Sequence, residues 1–298
     1  MRRTPKENIN QSFINLIRKA HGLIENSDIE KHRHSQDQMG ALFGNSREVA
    51  VTETTVGSMY AEWIRVDRPH SGKKIILYCH GGGYSTGSPL YARTLTTKLA
   101  SQLSMDVFCF DYRLAPEHPY PAALEEIEAF INILPEICEK YNGDITRLLY
   151  CGQSAGGNLL GAVTQRRKTV VTPVAQILCY PPTDNYNDHF HGSELDERGM
   201  RTEYYGFFYN QNFEERSNHD VSIAFSTVEE LKGLPDTDVI TAGMDTLCPE
   251  GERYANLLKE AGVKTTYRCF ANSRHGFAVN LYDEWKEGET YIVELMKK

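Results

Sequence analysis

Long hydrophobic runs and an excess of positive charge are both absent from this sequence of 298 residues. No stretch approaches the roughly 18 apolar residues of a membrane span, and no apolar segment follows the basic residues at the start. Lys and Arg number 32 against 40 Asp and Glu, a formal net charge of −8. Because that charge repels a phosphate backbone and an anionic membrane surface, we expect neither nucleic-acid binding nor stable membrane insertion.

Paired cysteines and low-complexity tracts are also missing. The seven cysteines are odd in number and form no CxxC motif, so the sequence has no disulfide or metal-binding signature. Most of them lie inside apolar runs, where a free thiol packs as a small hydrophobic side chain. This cysteine usage predicts a folded, cytoplasmic protein in a reducing compartment.

Clusters of metal ligands at familiar spacing do not occur. His189-Phe190-His191 comes nearest, but no cysteine or carboxylate cluster accompanies it. Zinc sites need three or four such ligands held together. The sequence therefore predicts neither a metal site nor an organic cofactor.

Short apolar runs alternate with longer amphipathic stretches through most of the chain. The runs predict strands at Ile75–Cys79, Val107–Phe110, Leu148–Cys151, Val174–Tyr180, Val239–Ala242 and Thr265–Phe270. The amphipathic stretches predict helices at Leu90–Leu103, Leu124–Ile137, Ala155–Thr164, Glu250–Glu260 and Glu284–Met296. Such alternation is typical of an α/β fold with a parallel sheet between two helical layers. Before it, alternation from Val49 to Val66 around Gly57-Ser58 predicts an antiparallel hairpin.

Two segments do not show this alternation of predicted strands and helices. Residues 1–46 are expected to form a helical arm, although the helical period is lost in the charged stretch 25–38. Residues 184–225 are rich in aromatic side chains and contain no clear strand, as is typical of a lid or binding element. The alternative is a helical cluster that packs only on itself. The catalytic core is then expected at 47–183 and 226–298.

The strongest motif is Gly152-Gln153-Ser154-Ala155-Gly156-Gly157, which follows a predicted strand and opens a predicted helix. This is the setting of a nucleophile elbow, a sharp turn that projects a serine hydroxyl above the sheet edge. The glycines two positions on either side of Ser154 let strand and helix approach closely. GxSxG also arises by chance, but this placement favours Ser154 as a nucleophile.

Three consecutive glycines, in His80-Gly81-Gly82-Gly83, come directly after another predicted strand. Each glycine costs chain entropy, and a structural turn rarely needs more than one or two. Such a loop can direct successive backbone N–H groups at one oxygen atom, as an oxyanion hole does. The N–H of Ala155 would be the further donor. The alternative is a flexible turn without a catalytic role.

A serine nucleophile needs a general base and an acid that orients the base, in the chain order serine, acid, histidine. Asp245 and His275 each come just after a predicted strand, and parallel strands bring both loops to the edge where Ser154 emerges. Other histidines precede the serine or fall in the insertion. Asp236 and Asp238 precede their strand and would face its other end. The sequence therefore favours Asp245 and His275.

With these motifs in this order, the chain resembles the hormone-sensitive-lipase-like branch of the α/β-hydrolases, the family of bacterial acetyl esterases and carboxylesterases. The resemblance spans residues 75–280 and includes the segment Asp111–Leu124. It implies a mostly parallel eight-stranded sheet with helices on both faces, under a helical cap formed by 1–46 and 184–225. One position departs from the pattern, since the family often carries Asp or Thr where this chain has Gln153.

The resemblance also implies the roles of the site residues. It implies a catalytic triad of Ser154, Asp245 and His275. It implies an oxyanion hole formed by Gly82, Gly83 and Ala155. It gives the segment Asp111–Leu124, with Arg113 and Glu117, a structural role.

The expected function is hydrolysis of short-chain acyl esters by a serine carboxylesterase, through an acyl-enzyme intermediate. The sequence does not identify the natural ester, and it leaves the oligomeric state open, with a homodimer as one option. An amidase, formamidase or lactonase would use the same triad. A ligand-binding protein on this fold would be expected to lack a triad member, and none is lacking here. The expected partner is therefore a small-molecule ester.

Overall fold

A single mixed sheet forms the centre of the computed structural model, which describes residues 28–44, 46, 48–66, 74–186 and 205–298. Its strands are β1 (Val49–Val56), β2 (Met59–Val66), β3 (Ile75–Cys79), β4 (Asp106–Phe110), β5 (Leu148–Gln153), β6 (Ala175–Cys179), β7 (Asp236–Ala242) and β8 (Thr265–Phe270). They lie in the order β1-β2-β4-β3-β5-β6-β7-β8. The pairs β1–β2 and β2–β4 are antiparallel and all other pairs are parallel. The predicted eight-stranded, mostly parallel sheet is confirmed.

Helices cover both faces of this sheet. They are α1 (Asp28–Phe43), α2 (Pro89–Leu103), α3 (Ala122–Tyr141), α4 (Ala155–Arg166), α5 (Val228–Leu231), α6 (Cys248–Glu260), α7 (Phe277–Asn280) and α8 (Trp285–Lys297). Alternate residues of a strand point to opposite faces. Leu77 and Cys79 accordingly pack in one core with α3, α4 and α6. Ile76 and Tyr78 pack in a second core with α2, α7 and α8.

The predicted hairpin is present at the antiparallel edge of the sheet. Val56 pairs with Met59, so Gly57 and Ser58 form a two-residue loop. Gly57 has a φ of 62°, in the left-handed region that such tight loops require and that glycine adopts at least cost.

Helix α1 includes residues 28–38 of the charged stretch, so the lost apolar period there does not prevent a helix. Contact with the start of α2 explains its stability. A Cβ atom on Gly40 would lie 1.9 Å from the carbonyl oxygen of Leu90, so the two backbones approach closely. Tertiary contacts stabilise a helix without an amphipathic stripe. The apolar residues that predicted helix before residue 28 lie outside the described residues.

The described part of the insertion packs on the core. The ring of Tyr209 stacks on that of Tyr84 with centroids 3.9 Å apart, and the carbonyl of Tyr209 accepts the N–H of Tyr120 at 2.6 Å. Residues 205–225 hold a helical run at 205–209 and two 3₁₀ turns, and no strand. This part of the insertion therefore does not pack only on itself.

Other features expected of the insertion, among them His189, Phe190 and His191, lie outside the described residues. Within the ranges that the structure does describe, no helix is long and apolar enough to cross a membrane.

Candidate active site

Four of the loops at the carboxyl edge of the parallel strands bring predicted site residues to a cavity of about 550 Å³. They follow β3, β5, β7 and β8, and they contribute Gly82 and Gly83, Ser154, Asp245 and His275 to its lining. Parallel strands present their carboxyl ends at one edge of a sheet. The structure therefore brings these predicted site residues together, with Ala155 next to Ser154.

Ser154 occupies a strained turn between β5 and α4. Its φ and ψ are 51° and −126°, a conformation that residues with a side chain rarely adopt. A Cβ atom on Gly152 would lie 2.5 Å from the carbonyl oxygen of Gly156. One on Gly156 would lie 2.2 Å from the carbonyl oxygen of Cys79. Only glycine fits at these two positions, which is the physical reason for the GxSxG spacing.

The three predicted triad side chains contact one another in series. Ser154 Oγ lies 2.8 Å from His275 Nε2, and His275 Nδ1 lies 2.5 Å from Asp245 Oδ2. The other carboxylate oxygen of Asp245 accepts the N–H of Leu247 at 3.3 Å, and the Tyr282 hydroxyl donates to the carbonyl of His275. An ionised carboxylate only accepts hydrogen bonds. The network thus assigns the ring proton to Nδ1 and leaves Nε2 to accept from the serine hydroxyl.

The rival acids of the same strand lie away from the cavity. Asp236 and Asp238 are the first and third residues of β7 rather than residues before it, so the expectation that they precede the strand is wrong. They still stand at its amino end. Asp236 pairs with Lys264. Asp238 accepts the hydroxyl of Thr266, and burial raises the pKa of its carboxyl group.

The glycine loop after β3 also adopts a backbone that other residues would strain. The φ angles are 125° at Gly82 and 59° at Gly83. A Cβ atom on Gly82 would lie 2.1 Å from the carbonyl oxygen of Thr86, and one on Gly83 would lie 2.1 Å from the ring of Tyr205. The carbonyl of Gly82 accepts the N–H groups of Ser85 and Thr86 at 3.1 and 2.9 Å. The loop is therefore a hydrogen-bonded turn of defined shape.

The N–H groups expected to form an oxyanion hole have no acceptor among the described residues. Ala155 is the first residue of α4, so its N–H has no partner within the helix. No hydrogen bond between residues that the structure describes uses the N–H of Gly82 or Gly83. The loop approaches the elbow closely, since a Cβ on Gly81 would lie 3.0 Å from Ser154 Cβ.

The arm helix contributes cavity residues that sequence reasoning did not assign to the site. They are His32, Ser35, Gln36 and Met39. Gln36 Oε1 accepts the N–H of Gly87 at 2.9 Å, and Arg33 Nε donates to the carbonyl of Ser85 at 2.9 Å. These bonds join the arm to the glycine loop. No local pattern marks them, because each partner stands about 50 residues away in the chain.

The structure gives Gln153 a partner that sequence reasoning also missed. Gln153 is buried, and its Oε1 accepts the hydroxyl of Tyr180 at 3.1 Å. The ring of Tyr180 packs edge-on against the imidazole of His275 with centroids 5.2 Å apart. Burial raises the pKa of the Tyr180 hydroxyl, so it remains a protonated donor. Gln153 thus supports a ring that contacts His275.

Arg113 and Glu117 pair with other residues rather than with each other. Arg113 lies 3.4 Å from Glu126, and Glu117 pairs with Arg33 of the arm at 2.9 Å. Neither is among the described residues that line the cavity. Across the described ranges, no group of three or more His, Cys, Asp or Glu is placed to hold a metal ion.

Comparisons with known proteins agree with this geometry. A family model described as alpha/beta hydrolase fold matches residues 76–279. LipN of Mycobacterium tuberculosis, a carboxylic ester hydrolase, is 31% identical over 280 residues, which are 88% of this chain and 73% of LipN. The esterase LipI of the same organism is 30% identical over 68% of this chain, a match that spans 65% of LipI, just under two thirds of its length.

A solved structure gives the same result. Carboxyl esterase 2 from the mycorrhizal fungus Tuber melanosporum superimposes with a TM-score of 0.76 at 27% identity, covering 85% of this chain and 86% of that one. The predicted class of enzyme, a carboxylic ester hydrolase, is confirmed at the level of the family. The chain belongs to the hormone-sensitive-lipase-like family of α/β-hydrolases.

Proposed function

We propose that this protein is a serine carboxylesterase that hydrolyses short-chain acyl esters through an acyl-enzyme intermediate. The observation that carries the proposal is the series of contacts from Asp245 through His275 to Ser154, at 2.5 and 2.8 Å. A hydroxyl nucleophile, a base within hydrogen-bond reach and an acid that orients the base are what acyl transfer to serine needs.

Acylation begins when Ser154 Oγ attacks the ester carbonyl carbon and His275 Nε2 takes the hydroxyl proton. Asp245 holds the Nδ1 side of the ring and stabilises the imidazolium that forms. The tetrahedral intermediate collapses as His275 gives the proton to the leaving alcohol oxygen. Water then attacks the acyl-serine, again with His275 as the base, and releases the acid.

The N–H groups of Gly82, Gly83 and Ala155 stabilise the negative oxygen of each tetrahedral intermediate. They belong to backbone whose φ angles are set before substrate binds, so little reorganisation accompanies the reaction. One such donor is typically worth about 10²–10³ in rate.

The cavity supports a small substrate. It has about 550 Å³ of space, and its lining residues include Tyr84, Tyr91, Tyr180, Tyr205 and Tyr282. Aromatic walls bound a pocket rather than an open apolar groove. Each added acyl methylene gains ~0.8 kcal/mol only where it finds room to be buried, so the rate declines beyond roughly eight carbons.

The arm and the insertion are the proposed cap over this cavity, with 1–46 and 184–225 as its two parts and 47–183 and 226–298 as the core. Two observations support the division. Helix α1 contributes to the cavity lining, and the ring of Tyr205 lies against Gly83. We also place the protein in the cytoplasm, since all seven cysteines are free thiols.

A hydrolysis panel tests the proposal: p-nitrophenyl esters of increasing chain length, an emulsified long-chain triacylglycerol, a lactone, an anilide and an N-formyl amide. Wild type and Ser154→Ala are assayed in parallel. We expect the highest kcat/KM on short esters and no turnover by the variant. Higher kcat/KM on the amide or lactone would favour those hydrolases, and a rate jump on the emulsion would contradict the walled pocket. Retained activity in Ser154→Ala would exclude the serine mechanism.

A further inference from the structure

Two cysteine side chains outside the proposed chemistry lie next to each other. Cys248 is the first residue of α6 and Cys269 belongs to β8, and their Sγ atoms are 3.6 Å apart. Cys269 is exposed and Cys248 is half-buried, whereas the other five cysteines are buried. This is therefore the pair of thiols that a dissolved oxidant can reach.

The surroundings of the two thiols hold them near one another. Thr241 pairs with Cys269 across the β7–β8 ladder, and its hydroxyl lies 3.4 Å from Cys248 Sγ. The hydroxyl of Tyr267 lies 3.8 Å from the same sulfur. The start of α6 and strand β8 therefore hold both sulfurs in one small polar region that includes these two hydroxyl groups.

We propose that Cys248 and Cys269 form an oxidisable dithiol, which hydrogen peroxide converts into an intramolecular disulfide. The thiolate of Cys269 attacks one peroxide oxygen, the O–O bond breaks, and the departing hydroxide takes up a proton to become water. The sulfenic acid so formed is attacked by the Cys248 thiolate, the S–O bond breaks, and a second water leaves. The two thiols lose two electrons and two protons, and one peroxide becomes two waters.

The disulfide affects the loop that carries Asp245. A disulfide bond is about 2.05 Å long, so the sulfurs, 3.6 Å apart here, must move together by about 1.5 Å. The N–H of Cys248 donates to the carbonyl of Asp245 at 3.1 Å, and movement at Cys248 is therefore passed to that residue. This consequence rests on the proposed function. Because small misplacements at an active site are costly, we expect kcat to fall about tenfold and dithiothreitol to restore it.

Peptide mapping tests the disulfide without relying on activity. The native full-length protein is incubated with hydrogen peroxide and its remaining thiols are alkylated under denaturing conditions. Because partial desolvation and the hydrogen bond with Cys248 raise the pKa of the Cys269 thiol, the incubation lasts hours. We expect two fewer alkylated thiols than the seven of the untreated chain. We also expect a cross-link between tryptic peptides 233–253 and 269–274 that dithiothreitol removes.

Matched variants make the result decisive. Cys248→Ser and Cys269→Ser should each abolish the cross-link while keeping the basal activity, and Cys138→Ala should keep the cross-link. Seven alkylated thiols after oxidation, or a Cys269–Cys269 bond between two copies, would overturn the proposal. A cross-link in a protein that hydrolyses no ester would support the dithiol and contradict only the proposed function.

Discussion

The elbow around Ser154 and the arm helix α1 line the same cavity but are held by different forces. The elbow is fixed by backbone packing, since Gly152 and Gly156 have no space for a Cβ atom. The arm is tied to the glycine loop by long polar side chains, among them Arg33 and Gln36. Backbone contacts within one turn tolerate almost no change, whereas each of these part-buried side-chain hydrogen bonds contributes only about 0.5–1.5 kcal/mol. The proposed nucleophile thus stands on the rigid region, and the more adaptable region lines the proposed substrate cavity.

Loss of a member of the proposed triad is expected to have the largest effect on activity. Ser154→Ala and His275→Ala should each lower kcat by about 10⁴–10⁶, because the residues act as a unit, and Asp245→Asn by somewhat less. Thermal unfolding should change by no more than a few degrees, since the hydroxyl and the imidazole face the cavity. Steady-state kinetics and differential scanning calorimetry measure the two effects. A larger loss for Asp238→Asn than for Asp245→Asn would show that the acid is wrongly assigned.

Packing of the elbow can be tested with two neighbouring glycines. In Gly156→Ala the new methyl group would lie 2.2 Å from the Cys79 carbonyl oxygen, and backbone cannot move away easily. We expect a loss of about 3 kcal/mol or more in the free energy of unfolding. Gly157→Ala is the matched control, with its nearest contact at 3.1 Å, and should change stability by about 1 kcal/mol or less. Urea denaturation compares them. Equal losses would mean that the elbow is not tightly packed.

Removing the hydrogen bond from Arg33 to the glycine loop should have a smaller effect, and we expect that effect on kcat. Arg33 donates to the Ser85 carbonyl, and the N–H of Ser85 bonds to the carbonyl of Gly82. Arg33→Ala should lower kcat about tenfold with little change in KM, because the proposed oxyanion donors lose support. Arg33→Lys should restore only part of the lost kcat, since lysine lacks the planar guanidinium group. Arg113→Ala, which breaks a pair with Glu126 away from the loop, is the control. An effect of Arg33→Ala on KM alone would assign the arm to binding only.

The smallest expected effect is the pH dependence of the ion pair between Arg33 and Glu117. The hydrogen bond from Arg33 lowers the pKa of Glu117. A depressed carboxyl pKa in the folded state adds stability above the unfolded pKa, and this stability is lost as pH falls through the folded value. Glu117 is about half exposed, at 52%, so the pair contributes about 0.2–1 kcal/mol. Glu117→Gln should lower Tm by about 1–2 °C at pH 7. Well below pH ~4 it should leave Tm unchanged. A difference in Tm that persists in acid would assign the effect to packing.

Local patterns predicted the framework because the causes are local. Apolar runs such as Ile75–Cys79 and Thr265–Phe270 match the observed strands residue for residue. Strand order then places every loop after a parallel strand at one edge, which is enough to select Asp245 and His275 from other acids and histidines. The arm was harder to predict, because its charged stretch has no apolar period and the helix depends on contact with α2.

Periodicity and glycine spacing act over a few residues, so they predicted the sheet, the elbow, the glycine loop and the chain order of the proposed triad. Packing of the whole chain brings remote side chains together: Arg33 with Ser85 and Glu117, Gln153 with Tyr180, and Cys248 with Cys269. Such contacts join segments tens of residues apart through the reach and rotamers of single side chains. These contacts produce no periodic pattern in the sequence, so only the packed fold brings the side chains together.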